Sequence, residues 1–273
     1  MADHIYLDHL AVASEHGFEQ FARYYGELGG EFIGGAVDPG FFFFQVKYVS
    51  GMKIEILEDD PGQPAEDFLR RFVDRNSAGP HHLTFKVPDI HAALDRVRDA
   101  GYEPVGIDVV NPEWQQAFLH PKQAPGIVIQ MAASNKEGDG WDLGDTRLPQ
   151  PICAAPADLE RVVLLVDDLD RETRLFSEVF NGERVGEGTD DELGGYVELV
   201  WSSGGRLRLV NPTNPAVVQW LGGRAGRLYS ADFVVADIGP VTGARAMGAG
   251  RWEVPPEANL GVRLRLRGPG GSS

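Results

Sequence analysis

The chain has 273 residues, 42% hydrophobic and 24% charged, an ordinary globular balance that excludes wholesale disorder. At about 150 residues per domain, two domains are expected. With 25 Lys and Arg against 41 Asp and Glu, the net charge of −16 argues against phosphate-tracking nucleic-acid binding and against adhesion to an anionic membrane.

Cys153 is the only cysteine, which excludes an intramolecular disulfide and any multi-cysteine metal cluster. The N-terminus carries no basic region followed by an apolar stretch, and no apolar run approaches about 18 residues. A soluble, cytoplasmic protein is the expectation. Residues 135–156 are polar and rich in Gly and Pro, so they read as a linker between domains at 1–134 and 157–273. The tail at 268–273 is expected to fray.

In chain order, residues 6–13 predict a strand. Phe18, Phe21, Tyr25 and Leu28 form a helical stripe over 15–28 that Ser14 can cap and Gly29-Gly30 ends. Strands follow at 41–48 and 52–57 around a turn at Ser50-Gly51. Phe68, Leu69, Phe72 and Val73 mark a second helix. The order then recurs: a strand at 82–87, a helix capped by Asp89 with Ile90, Ala93, Leu94 and Val97 inward, and strands near 105–110, 115–119 and 126–131. Strand, helix, then strands appears twice, the signature of an internal repeat.

Four polar residues interrupt otherwise apolar strands: His9, Glu55, His82 and Gln130. His9 and His82 are 73 positions apart, and Glu55 and Gln130 are 75 apart. Each copy of the repeat therefore contributes a histidine from its first strand and an oxygen donor from its last. Apolar neighbours flank Glu55 and Gln130, and Leu10 and Val12 pack opposite His9, so alternation turns these polar side chains away from the helix-packed face and toward a shared cavity. Two imidazoles, a carboxylate and an amide oxygen suit one divalent transition metal, Zn, Ni, Co, Mn or Fe, without choosing among them. They leave two octahedral positions for water or substrate. A hydrogen-bonded core role for each histidine is the alternative.

These features resemble the vicinal oxygen chelate superfamily, the glyoxalase, bleomycin-resistance and extradiol-dioxygenase fold. The stretches DHLAV at 8–12, MKIEILE at 52–58, PHHLTFKV at 80–87, AFLHPK at 117–122 and GIVIQ at 126–130 are most similar to methylmalonyl-CoA epimerases. The resemblance implies an α+β fold of two tandem domains. Each is built from paired βαβββ units forming a cupped mixed sheet with helices on its outer face. It places metal ligands at His9, Glu55, His82 and Gln130, with His82 preferred to His81. It also implies enolate or oxyanion stabilisation on the metal during proton transfer, with Glu55 as ligand, base or both. Two departures stand out: Gln130 replaces the family's usual Glu, and strand 41–48 lacks the additional Glu that epimerases carry there.

Of the four consecutive phenylalanines, Phe42 and Phe44 are assigned to a substrate-binding wall, the alternative being that all four simply pack. His120 and Lys122 are candidate contacts for an acidic substrate group, or else stabilise their loop. A Fe(II) ring-cleaving dioxygenase and a non-catalytic small-molecule binder of the antibiotic-sequestering type are the alternative functions. A monomer or homodimer acting on a small-molecule substrate is expected.

The second half repeats the pattern with strands at 159–166, 196–201, 206–210 and 231–238 and a helix at 169–180. Its ligand-equivalent positions hold Arg161, Arg208, Ser230 and Arg265, a set unsuited to a cation. The second cup is therefore expected to be metal-free. Its three arginines either converge on an anion or are neutralised by Glu198 and Asp232.

Overall fold

The computed structural model describes residues 4–38, 40–60, 62, 68–134, 148 and 150–270. Most of the expected linker, 135–147 and 149, and residues 271–273 of the tail lie outside the described residues.

The first half contains β1 (Tyr6–Ser14), β2 (Glu31–Asp38), β3 (Phe41–Lys47), β4 (Lys53–Asp59), α1 (Phe68–Asn76), β5 (Gly79–Lys86), α2 (Ile90–Asp99), β6 (Val105–Asp108), β7 (Gln115–Leu119) and β8 (Val128–Ala133). Its strands form one mixed sheet of order β2-β3-β4-β1-β5-β8-β7-β6. The second half contains β9 (Asp158–Val166), α3 (Leu169–Arg174), β10 (Glu183–Asp190), β11 (Gly194–Val200), β12 (Arg206–Pro212), α4 (Pro215–Leu221), β13 (Gly226–Val234), β14 (Arg245–Gly248), β15 (Arg251–Val254) and β16 (Leu264–Arg267). Its sheet repeats the order strand for strand, β10-β11-β12-β9-β13-β16-β15-β14. First and last strands of each repeat run parallel, as in β1 with β4 and β5 with β8, while the intervening hairpins are antiparallel. The architecture is α+β, with two mixed sheets of one shared strand order.

Local chemistry explains most elements. Asp89 accepts from the amides of His91 and Ala92 and so starts α2, as expected. The stripe at 15–28 is not one helix. It breaks into a 3-10 turn at Gly17–Gln20 and a π-helical segment at Ala22–Glu27. There the Glu58 carboxylate accepts the Phe18 amide at 2.8 Å, and Ser14 accepts from His16 rather than capping a helix. The helix expected at 169–180 likewise passes from α3 into a π-helical turn at Leu175–Val179. Strands β2 and β10 and helix α4 are not among the expected elements.

Packing divides the chain differently from the sheets. Two compact units each take one repeat from each half: one holds the described residues of Met1–Asp8, His82–Glu137 and Arg161–Tyr229, the other those of His9–His81, Gly138–Glu160 and Ser230–Ser273. Within the first, the fully buried Phe85 stacks on Phe180 at 4.5 Å and meets Phe176 and Trp201. Within the second, Tyr48 meets Phe233 edge-on at 5.0 Å, and Arg23 donates to the Ala258 and Thr242 carbonyls and to Asn259 Oδ1.

Helix α1 lies on an unexpected side. Its Leu69 and Val73 pack with Ala11, Ala13, Phe43 and Leu57. Alternation places these on the same face as His9 and Glu55. Helix α4 repeats the arrangement in the second half, where Val217 and Leu221 join Val163, Leu165 and Val210 on the face that carries Arg161 and Arg208.

Candidate metal centre

The site begins with register. Strand β3 pairs with β4 so that Gln45 faces Glu55 and Phe43 faces Leu57, while Ala11 of β1 is level with Glu55. Side chains of Phe41, Phe43, Gln45, Glu55, Leu57 and His9 therefore share one face. On β5, His82, Thr84 and Lys86 share a face, and Gln130 of β8 is level with Thr84.

His9, Glu55 and His82 come together, each offering one ligand atom with all three atoms within 4.8 Å of one another. His9 Nε2 lies 3.4 Å from Glu55 Oε2. All three residues are buried, and so is Gln130. Neighbouring atoms coordinated to one ion at about 2.0–2.2 Å lie roughly 3–4 Å apart, so closure on a metal draws these side chains inward. Two neutral imidazoles and one carboxylate form a donor set that matches a divalent transition ion. The residues fit the group.

Gln130 is held by its strand neighbours. Its Oε1 accepts from Thr84 Oγ1 at 2.6 Å, and its Nε2 donates to Gln116 Oε1 at 2.9 Å. Gln116 Oε1 also accepts from the Trp114 indole at 3.1 Å. An amide oxygen has two lone pairs, so the Thr84 bond leaves one for a metal. Gln45 Nε2 donates to Glu55 Oε1 at 2.7 Å. Gln45, Thr84 and Gln116 were missed in the sequence. Gln45 carries the signal used for His9, a polar residue in an otherwise apolar strand, but nothing in the repeat marks it.

His81 is buried as well, with Phe72 and Phe68 of α1 at 4.7 and 5.6 Å. Burial pushes its imidazole down to about 4 against the opposing pull of the Glu55 carboxylate, which keeps it neutral at pH 7.

The phenylalanine assignment is one residue out of phase. Phe44 packs against Phe18 and Phe21 at 5.0 and 5.3 Å, on the face opposite Glu55, and alternation puts Phe42 on that face too. Phe41 and Phe43 are the pair on the side of Glu55. His120 and Lys122 are exposed, and His120 Nδ1 accepts the Lys122 amide at 3.1 Å, the loop-stabilising alternative.

In the second half, Arg161 and Arg208 do converge, but on Glu198. Its Oε2 takes Arg161 Nη1 at 2.8 Å and Arg208 Nη2 at 2.7 Å, and its Oε1 takes Arg206 Nη1 at 2.9 Å. Arg265 stands in register with Asp232 on one side and Glu253 on the other. The ion-pair alternative thus describes Arg161 and Arg208. Burial would raise the Glu198 carboxyl, yet the Arg161, Arg208 and Arg206 guanidiniums hold it below its ordinary value.

The family described as "Glyoxalase-like domain" matches residues 7–180, and the chain belongs to it. An ethylmalonyl-CoA/methylmalonyl-CoA epimerase of Cereibacter sphaeroides is 31% identical over 132 residues, covering 46% of this chain and 95% of that protein. A methylmalonyl-CoA epimerase structure from Mycobacterium tuberculosis is 20% identical, with a TM-score of 0.43 over 50% of this chain and 93% of that one. A triple mutant of 4-hydroxymandelate synthase from Streptomyces coelicolor is only 12% identical, but its fold matches over 98% of this chain and 93% of its own, with a TM-score of 0.64. Among the described residues, no helix is long and apolar enough to cross a membrane.

Proposed function

We propose that the chain is a divalent-metal-dependent enzyme of the glyoxalase and epimerase type, acting on a small or medium organic molecule whose oxygens chelate the metal. The observation that carries this reading is the buried His9–Glu55–His82 cluster, in a chain of which 46% is similar to an ethylmalonyl-CoA/methylmalonyl-CoA epimerase. A bound divalent ion would supply Lewis-acid stabilisation of the negative charge that develops on a substrate oxygen as the adjacent carbon loses its proton.

The chain's own groups supply the rest. His9 and His82 present neutral nitrogen donors and Glu55 a single negative charge. Gln130, its amide oriented by Thr84 and Gln116, adds a neutral oxygen donor. Burial of these side chains excludes bulk water and strengthens every charge interaction at the site. Beside Glu55, β3 presents Phe41, Phe43 and Gln45 but no carboxylate. The reading is therefore proton transfer next to a carbonyl as a reaction class, with methylmalonyl-CoA and ethylmalonyl-CoA the first substrates to try.

Elemental analysis of protein purified without a histidine tag tests the reading. About one tightly held transition metal per chain, lost in His9→Ala, supports it, as does metal-dependent exchange of a substrate α-proton in deuterated water. No metal even after supplementation overturns it in favour of a non-catalytic binder. A second reading rests on the donor set itself, because two histidines and one carboxylate also suit non-haem Fe(II) oxygenases. Oxygen uptake strictly dependent on Fe(II) would establish that reading instead.

A further inference from the structure

Building on the metal-dependent reading, we propose that Gln45 is a positioning residue for the metal. Its amide holds Oε1 of Glu55 and presents Oε2, on the His9 side, as a single-oxygen ligand. The geometry is specific. Gln45 and Glu55 are direct partners in the β3–β4 register, and both are buried. Gln45 Nε2 reaches Glu55 Oε1 at 2.7 Å, while the other oxygen, Oε2, is 3.4 Å from His9 Nε2.

A carboxylate at the end of a flexible side chain has two equivalent oxygens and can bind an ion through either or both. A hydrogen bond from a fixed donor removes that freedom, because the oxygen it engages is drawn away from the metal and the carboxylate plane is set. The residue type suits the task. An amide N–H donates at every pH, whereas a second carboxylate here would repel Glu55 and a histidine would compete for the ion. Single-oxygen coordination by Glu55 would leave one more position open to water or substrate. Gln45 touches neither metal nor substrate, so its effect passes entirely through Glu55.

The test uses the full-length protein and Co(II) as the probe, with Gln45→Leu as the main variant and Gln45→Met as a second apolar replacement should the first fail to fold. Three quantities are read: Co(II) affinity by competition with a chelator, the visible absorption spectrum of bound Co(II), and the melting temperature without metal. The expected result is a loss of Co(II) affinity of roughly ten- to a hundredfold, with an altered spectrum and a nearly unchanged metal-free melting temperature. Wild-type affinity and spectrum in a folded variant overturn the positioning role while leaving the metal reading intact. If the wild-type protein itself takes up no Co(II), the metal reading fails and this inference fails with it, a pattern distinct from the first.

Discussion

Glu198 joins two buried arginines at the strand positions that hold His9 and Glu55 in the first half. In the first half the corresponding strands bring His9 and Glu55 together, whereas in the second they bring Arg161 and Arg208 onto one carboxylate. Both guanidiniums are buried and close on the same carboxylate, so neutralising it removes a buried ion pair from each. Glu198→Gln is expected to destabilise the protein by about 3 kcal/mol, read as a lower midpoint in urea unfolding. The pH dependence follows from the same contacts. Because the folded-state pKa of Glu198 lies below its ordinary 4.5, its contribution is fully present above that value. It is lost as the pH falls through the lower, folded-state value. Acid unfolding of Glu198→Gln should therefore show a shallower pH slope below about 4.5 than the wild type. Equal slopes would show that the cluster holds no ionised carboxylate.

Individual strands turn on phase. Phe43 and Phe44 are adjacent in sequence and both buried, yet they belong to different layers, Phe43 with α1 and Phe44 with Phe18 and Phe21. Phe44→Ala should cost roughly 3–5 kcal/mol in stability and leave the Co(II) spectrum unchanged, because its ring is on the far side of the sheet from Glu55. A changed spectrum would show that the strand's faces are coupled. Close approach of loops is a second constraint at this scale. Gly126 and Gly226 meet backbone to backbone, and a Cβ on Gly226 would run into the Pro125 carbonyl. Gly226→Ala should lower stability by about 1–3 kcal/mol, measurable as a depressed melting temperature, whereas an unchanged value would mean that these loops separate without cost.

For the molecule as a whole, the two sheets follow the sequence halves but the cores do not. Phe85 belongs to the first sheet and is covered by Phe176, Phe180 and Trp201 from the second half. Tyr48 and Arg23 depend in the same way on Phe233 and on Asn259. A fragment of residues 1–134 would expose this apolar surface, and apolar patches of that kind drive association. Produced alone, it should self-associate or aggregate in sedimentation analysis. A monomer that unfolds cooperatively would show that each half carries its own sufficient core.

Periodicity was enough to read the repeated strand–helix–strand order and to single out His9, Glu55 and His82, which the fold brings together. These depend on local alternation and on spacing along the chain, both of which are written in the order of residues. Tertiary structure decided the rest. It put α1 on the Glu55 face, turned Phe44 away from the site, and closed Arg161 and Arg208 onto Glu198. It also linked Gln45 to Glu55 and Gln116 to Gln130. Each of these is a choice of partner between segments distant in the chain, settled by register and burial, and residue order alone does not specify which neighbour a side chain will meet.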